Sequence, residues 1–380
     1  MPTVAILGGG YGGIRTALTL HRLLDRHWNI VLLDRGACHQ LITRLPEVIA
    51  GVIPSDRSAI RLARILPSRI RLVRCEVEGI DVEQRRVDTS RGNLRADYIV
   101  LALGTGPDYG RVPGTRQHSW PVKSLDDAVR IHARLRELFL GQASARVVIV
   151  GGGYTATEVA GEIAEWNRRL DGRARRSRFT VTIVNDEAQL LHGDNAPLAA
   201  AVLNVLRGKG VVVYTGTPVQ RIEPGTVILP GDKRMDADMI IWAAGSRVQL
   251  PASRNGMFTG QEGRVNVDQY LRAYPGVYVV GDAALAHDPT TGEVVPASAQ
   301  LAVQAGELAA RNMAAEVGTR RLREFRPHNL GEALDLGGSD GAAEIAGLVV
   351  TGHAALGVKK AALVRYLRTI GGLQLAARYL

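Results

Sequence analysis

The sequence predicts an α/β protein made of two Rossmann-like dinucleotide-binding domains, and three stretches predict it. "VAILGGGYGGIRTALTL" (4–20) reads as a buried strand, a glycine turn and a helix. "VVIVGGGYTATEVAGEIAEW" (147–166) repeats that grammar, and "YPGVYVVGDAA" (274–284) supplies a further buried strand after both. The chain has 380 residues, 46% apolar and 22% charged, enough for two or three packed domains, and carries no low-complexity tract.

In the first repeat, residues 4–7 form a strand and Gly8, Gly10 and Gly13 fit GxGxxG. Such glycines permit a tight turn and let backbone N–H groups approach a pyrophosphate, which the helix N-terminus stabilises. The strand "NIVLLD" then ends in Asp34, whose carboxylate can accept hydrogen bonds from a ribose diol, with Arg35 next to it. In the second repeat Gly151, Gly153 and Ala156 give the GxGxxA variant, and "FTVTIVN" ends in Asn185. The duplication carries the expectation that first glycine and strand end are equally spaced in both. Two cradles imply two dinucleotides: FAD held in the first and a diffusible nicotinamide in the second.

"ADYIVLALGT" and "ADMIIWAAG" are strands that close each cradle, ending at Thr105 and Gly245. Asp282, leaving the third strand, points toward a flavin ribityl chain. Glu158 follows the second cradle closely and is expected in the first helical turn, while Glu162, one turn on, reads as polar lining or a supporting partner. "ASAQLAVQAGELAARNMAAEV" reads as an amphipathic helix with Gln300 and Gln304 on one face; a flavin edge or a quinone carbonyl would satisfy them. His39 reads as a loop or flavin-packing residue.

The formal net charge is +10, concentrated in 168–178 and the last 25 residues. With aromatics at 5% and no aromatic-studded basic stretch, a nucleic-acid partner is not expected. Residues 354–380 read as a helix broken at Gly371-Gly372, either interfacial, with Leu363, Leu367 and Ile370 facing an acyl boundary and the cations facing headgroups, or packed on the body or across a dimer seam. The segment "LGGSDGAAEIAGLVV" reads as a small hairpin capping the flavin domain. Cys38 and Cys75 form no CxxC and suggest a reducing compartment. The first strand begins almost at Met1, so no signal peptide is expected. No metal-binding spacing and no membrane-spanning run is present in the sequence.

These pieces in this order resemble the two-dinucleotide-binding flavoprotein reductases of glutathione-reductase-like fold, and among them the type II NADH:quinone dehydrogenases. "AQLAVQ", Ala299 to Gln304, fits that family's AQxAxQ signature, 17 residues after Asp282. "HQLITRLPEVIAG" (39–51) is similar to its flavin-side loop at Leu45, Glu47, Ala50 and Gly51, departing at Thr43-Arg44, where Pro-Leu is usual. "GHAALGVKKAALVRYL" is similar to its C-terminal segment, which places Lys359 near a quinone. The resemblance implies FAD, NADH, a quinone, a homodimer, and peripheral attachment to the cytoplasmic side of a membrane without proton pumping. It also implies that Val77 contacts adenine through its backbone, that Ala299 lies at the flavin, and that Glu158, Gln300, Gln304 and Lys359 serve catalysis. Neutral Asn185 leaves NADPH open as donor beside NADH.

The expected division is an FAD-binding domain from 1–110 and 261–325, a nicotinamide domain from 111–260, and a capping and membrane-associating region from 326–380. Two rivals share the fold. A soluble ferredoxin or rubredoxin reductase is similar but carries a lysine about where Glu47 stands. A sulfide:quinone reductase needs redox cysteines in places that Cys38 and Cys75 do not match.

Overall fold

The computed structural model describes residues 1–379 except 111, 142–143, 172–177, 192–194 and 254–258, so most of the basic run 168–178 lies outside the described residues. The chain opens with β1 (Thr3–Leu7), α1 (Tyr11–Leu23), β2 (Asn29–Asp34), α2 (Leu45–Ile49), β3 (Ile70–Arg74) and β4 (Tyr98–Leu101). A second unit holds α3 (Leu125–Gly141), β5 (Ser144–Val150), α4 (Tyr154–Asp171), β6 (Arg178–Val184), α5 (Ala196–Gly208), β7 (Val212–Tyr214) and β8 (Met239–Trp242). The chain then returns through β9 (Arg272–Tyr274), β10 (Val277–Val279) and α6 (Ala299–Val317). It ends with β11 (Glu332–Asp335), β12 (Gly341–Ile345), β13 (Leu348–Thr351) and α7 (His353–Tyr379).

The first sheet runs β9-β10-β4-β1-β2-β3, parallel except for β9 against β10. The second runs β8-β5-β6-β7, with the short strand Trp120–Pro121 outside β8. The central strands β1, β4 and β8 are nearly continuously apolar and buried because helices or further layers cover both faces. On β1, Val4 and Ile6 enter one core with Leu32, Val100 and α1, while Ala5 and Leu7 enter another with Val31, Leu33 and Leu101. The repeats are not equally long: Asp34 lies 26 residues after Gly8, but Asn185 lies 34 after Gly151, with α4 running on to Asp171.

α6 reaches the first cradle by a close crossing. A Cβ on Gly306 would lie 2.2 Å from the carbonyl oxygen of Gly12, and Thr16 donates to the Gly306 carbonyl at 3.1 Å. Glycine at 306 is what lets α6 start beside the flavin-side turn.

The C-terminal region differs from expectation in two ways. Its β11–β13 sheet packs on the second unit, not on the flavin domain: Leu334, Leu336 and Ala342 join Ile149, Val159 and Ile163 in one core. α7 does break at Gly371 and Gly372, the latter at φ 72°. Leu367, Ile370, Ala376 and Tyr379, however, are buried in the core of the first unit, with Leu363 packed against it. These apolar residues on both sides of the kink thus meet protein, and what would be a lipid-facing stripe is covered. Lys360, Arg365, Arg368 and Leu373 remain outward. Among the described residues no helix is long and apolar enough to cross a membrane.

Candidate active site

The first cradle has a space that glycine alone leaves open. Gly8 sits at φ 106°, and a Cβ there would lie 2.4 Å from the Ala102 carbonyl oxygen; at Gly13 it would lie 1.9 Å from that of Gly8. At Gly10 a Cβ would meet no protein atom closer than 4.0 Å. Turn geometry thus demands the first and third glycines, whereas the second keeps room for something outside the protein. α1 begins there without a side-chain cap, leaving its first N–H groups free for a phosphate. Asp34 closes the turn, its two oxygens accepting from Gly9 N and Gly36 N at 2.6 Å each. Arg35 is exposed, while Val77, Thr105, Asp282 and Ala299 are half-buried. Burial pushes the Asp282 carboxyl up, and the cations Lys123 and Arg264 pull it back. These residues fit an FAD.

The second cradle matches the first in backbone and differs at the strand end. Gly151 lies at φ 115° under Ala243, Gly245 at φ 72°, and Ala156 is fully buried. Asn185 is also buried and turned inward: its amide donates to the carbonyls of Glu187 and Gln189 at 3.1 and 2.9 Å. A carboxylate there would face those carbonyls, so the Asn185 amide shapes its own loop.

Glu158, buried, and Lys359, half-buried and 201 residues away, form an ion pair on Oε1, which also accepts from Asp335 N at 2.9 Å. α4 starts at Tyr154, so Glu158 stands just past the first turn and owes its state to burial and Lys359 more than to the helix end. Burial raises its carboxyl and Lys359 opposes that; burial works against the Lys359 charge, but Glu158 and Asp335 hold the ammonium above its usual range. The glutamines find different partners from those expected. Gln304 donates to the His328 carbonyl (2.8 Å) and accepts from His328 N (2.9 Å); Gln300 donates to Asn329 Oδ1 and accepts from Leu330 N. They fix segment 328–331, which leads into β11 and so to Asp335.

Two arrangements were not legible in the sequence. Arg44, where the chain departs from the Pro-Leu pattern, is buried, binds Glu47 bidentately through Nε and Nη2 (2.8 and 2.9 Å), and donates from Nη1 to the Tyr379 carbonyl at 2.7 Å. The departure has a reason: Arg44 ties down the end of α7. His39 is buried with Nδ1 3.1 Å from the Gly9 carbonyl and Nε2 2.8 Å from the Tyr366 hydroxyl. A carbonyl only accepts, so Nδ1 carries the proton and Nε2 accepts from Tyr366. Burial lowers His39 to about 4 and keeps it neutral, so α7 is linked to the first cradle through an uncharged ring.

A family model described as pyridine nucleotide-disulphide oxidoreductase matches residues 2–306. The chain belongs to this family. Within it, the chain is similar to a type II NADH:quinone oxidoreductase of Staphylococcus saprophyticus, 26% identical over 98% of this chain and 97% of the relative. In fold it is similar to the structure of NDH2 from Plasmodium falciparum in complex with NADH (TM-score 0.87, 14% identity, 100% and 97% of the two chains). It is also similar in fold to the sulfide:quinone oxidoreductase of Aquifex aeolicus (TM-score 0.83, 20% identity, 98% and 92%). As a pyridine nucleotide-disulphide oxidoreductase this chain lacks a disulfide of its own: Cys38 and Cys75 are both free, and Cys75 lies in the core of the first unit.

Proposed function

We infer that the protein is an FAD-dependent NADH:quinone oxidoreductase, with FAD on the Gly8–Gly13 turn and NADH on the Gly151–Ala156 turn. The cofactors supply the chemistry, hydride transfer from nicotinamide C4 to flavin N5 and then two-electron reduction of the quinone. The protein orients and supplies protons. One observation carries the reading: half-buried Lys359 of the C-terminal helix pairs with buried Glu158, at the helix that opens the nicotinamide cradle. A proton-bearing pair at that point suits an acceptor whose oxygens must be protonated and has no use in a reductase that only passes electrons to an iron–sulfur protein. The free cysteines likewise disfavour sulfide chemistry.

The quinone is reached from a membrane surface on the cytoplasmic side. Support for this docking comes from the hairpin tip, where Leu348 is 72% exposed beside Ile345, from Leu373 at 69%, and from Lys360, Arg365 and Arg368 on the outer side of α7. A homodimer belongs to the same reading. The test is stopped-flow reduction of the purified yellow protein by NADH and NADPH, followed by reoxidation with quinones, ferredoxin and sulfide-derived acceptors. Rapid reoxidation by quinone alone is expected; preference for ferredoxin would overturn the assignment.

A further inference from the structure

Glu162 is a buried acid that the reading above leaves unused. It lies one turn beyond Glu158 on the same face of α4, is 2% exposed, and its Oε2 has no hydrogen-bond partner among the described residues. Charged groups face it from each element packed there: Glu158 and Arg169 from α4, Glu47 from α2, Asp335 from β11 and Lys359 from α7. Most are already committed. Glu47 is held by Arg44, Asp335 accepts from Gly337 N, and Glu158 is held by Lys359. Further along, Glu165 is taken by Lys209, which also binds Asp340. His132 of α3 faces the Ile49 carbonyl. A buried carboxyl in such company favours its neutral, protonated form. Burial, with Asp335 and Glu47 adding to it, pushes Glu162 up to about 8.

We propose that Glu162 stores, as a carboxylic acid, the proton the reaction needs beyond the hydride, and passes it by way of Glu158 and Lys359 to the quinone oxygen. The proposal rests on the NADH:quinone reading. A quinone becoming a quinol takes two electrons and two protons, whereas NADH yields one hydride, which amounts to two electrons and one proton. The second proton comes from Lys359, whose N–H bond breaks as a quinol O–H forms. Glu162 then loses its O–H proton to the Glu158 carboxylate, which hands it to Lys359. The Glu162 carboxylate is reprotonated by a solvent hydronium ion, which leaves as water, and no electrons move in the relay.

The experiment compares wild type, Glu162→Gln and Glu162→Asp, each loaded with FAD and driven by NADH, with a water-soluble quinone and with ferricyanide, which accepts electrons without protons. For Glu162→Gln the ratio of quinone to ferricyanide turnover should fall by about tenfold or more, while Glu162→Asp restores part of it. The wild-type quinone rate should decline as pH rises through about 8, and the glutamine variant should lose that inflection. Independently, the oxidised wild type should show the infrared carbonyl stretch of a protonated carboxyl below that pH, absent in Glu162→Gln. An unchanged ratio with an unchanged pH profile overturns the relay, as does a wild type without that band. Should wild type reduce ferricyanide but no quinone, the functional reading itself fails and the relay with it; wild-type quinone turnover with an indifferent Glu162→Gln sinks the relay alone.

Discussion

Glu162→Gln should stabilise the protein at neutral and alkaline pH. The glutamine keeps the shape of the acid and cannot ionise. In the folded protein Glu162 holds its proton until about 8, whereas in the unfolded chain it releases it near 4.5. Between these values the native state binds one proton more than the unfolded state, so the wild type loses stability as pH rises through the window. At ~1.36 kcal/mol for each pH unit, the loss reaches about 3 kcal/mol at pH 7 and about 5 kcal/mol above pH 8. The variant escapes it, so the two proteins should be equally stable near pH 4.5 and diverge above it. Urea unfolding read by tryptophan fluorescence would measure this, with Trp166 one turn along the same helix as a local reporter. Stability curves that run parallel from acid to alkaline pH would refute the assignment of Glu162 as a neutral buried acid.

Other perturbations separate fold from ligand. Gly13→Ala should destabilise the apo-protein by about 2 kcal/mol, because its Cβ collides with the Gly8 carbonyl. Gly10→Ala should leave apo-protein melting unchanged yet weaken FAD binding by about 1.4 kcal/mol or more, tenfold in Kd, measurable by fluorescence titration. Arg44→Met strands the half-buried Glu47 and frees the Tyr379 carbonyl, costing about 2 kcal/mol, less than for a fully buried pair; limited proteolysis should cut α7 sooner than in wild type, and unchanged cleavage would dissociate Arg44 from the tail. Leu348→Asp with Leu373→Asp should reduce co-sedimentation with anionic vesicles without lowering the melting temperature. Leu367→Asp should instead unfold the protein, since a charge there enters a dry core; full vesicle binding by the double variant would reject the membrane face.

The sequence by itself determined both cradles. Strand, glycine turn and helix are specified within some twenty residues, and steric contacts such as Gly13 against Gly8 act over that same span, so a local pattern suffices. It also placed the helix break at Gly371-Gly372, because backbone freedom is a property of the residue itself. Tertiary structure decided what each polar or amphipathic residue meets. Asp34 and Asn185 end equivalent strands, yet one clamps the glycine turn and the other closes its own loop. Leu367 and Ile370 lie on a helical stripe that composition assigns equally to lipid or to protein, and only the packing of α7 on the first unit brings them into the core. Gln300 and Gln304 share a face by their spacing, but their partners come from segment 328–331. Lys359 reaches Glu158 from 201 residues away. Periodicity reports which side of an element is apolar or polar; it carries no information about what arrives from elsewhere in the chain, and burial by such distant groups is what sets the charge of Glu158, Glu162 and His39.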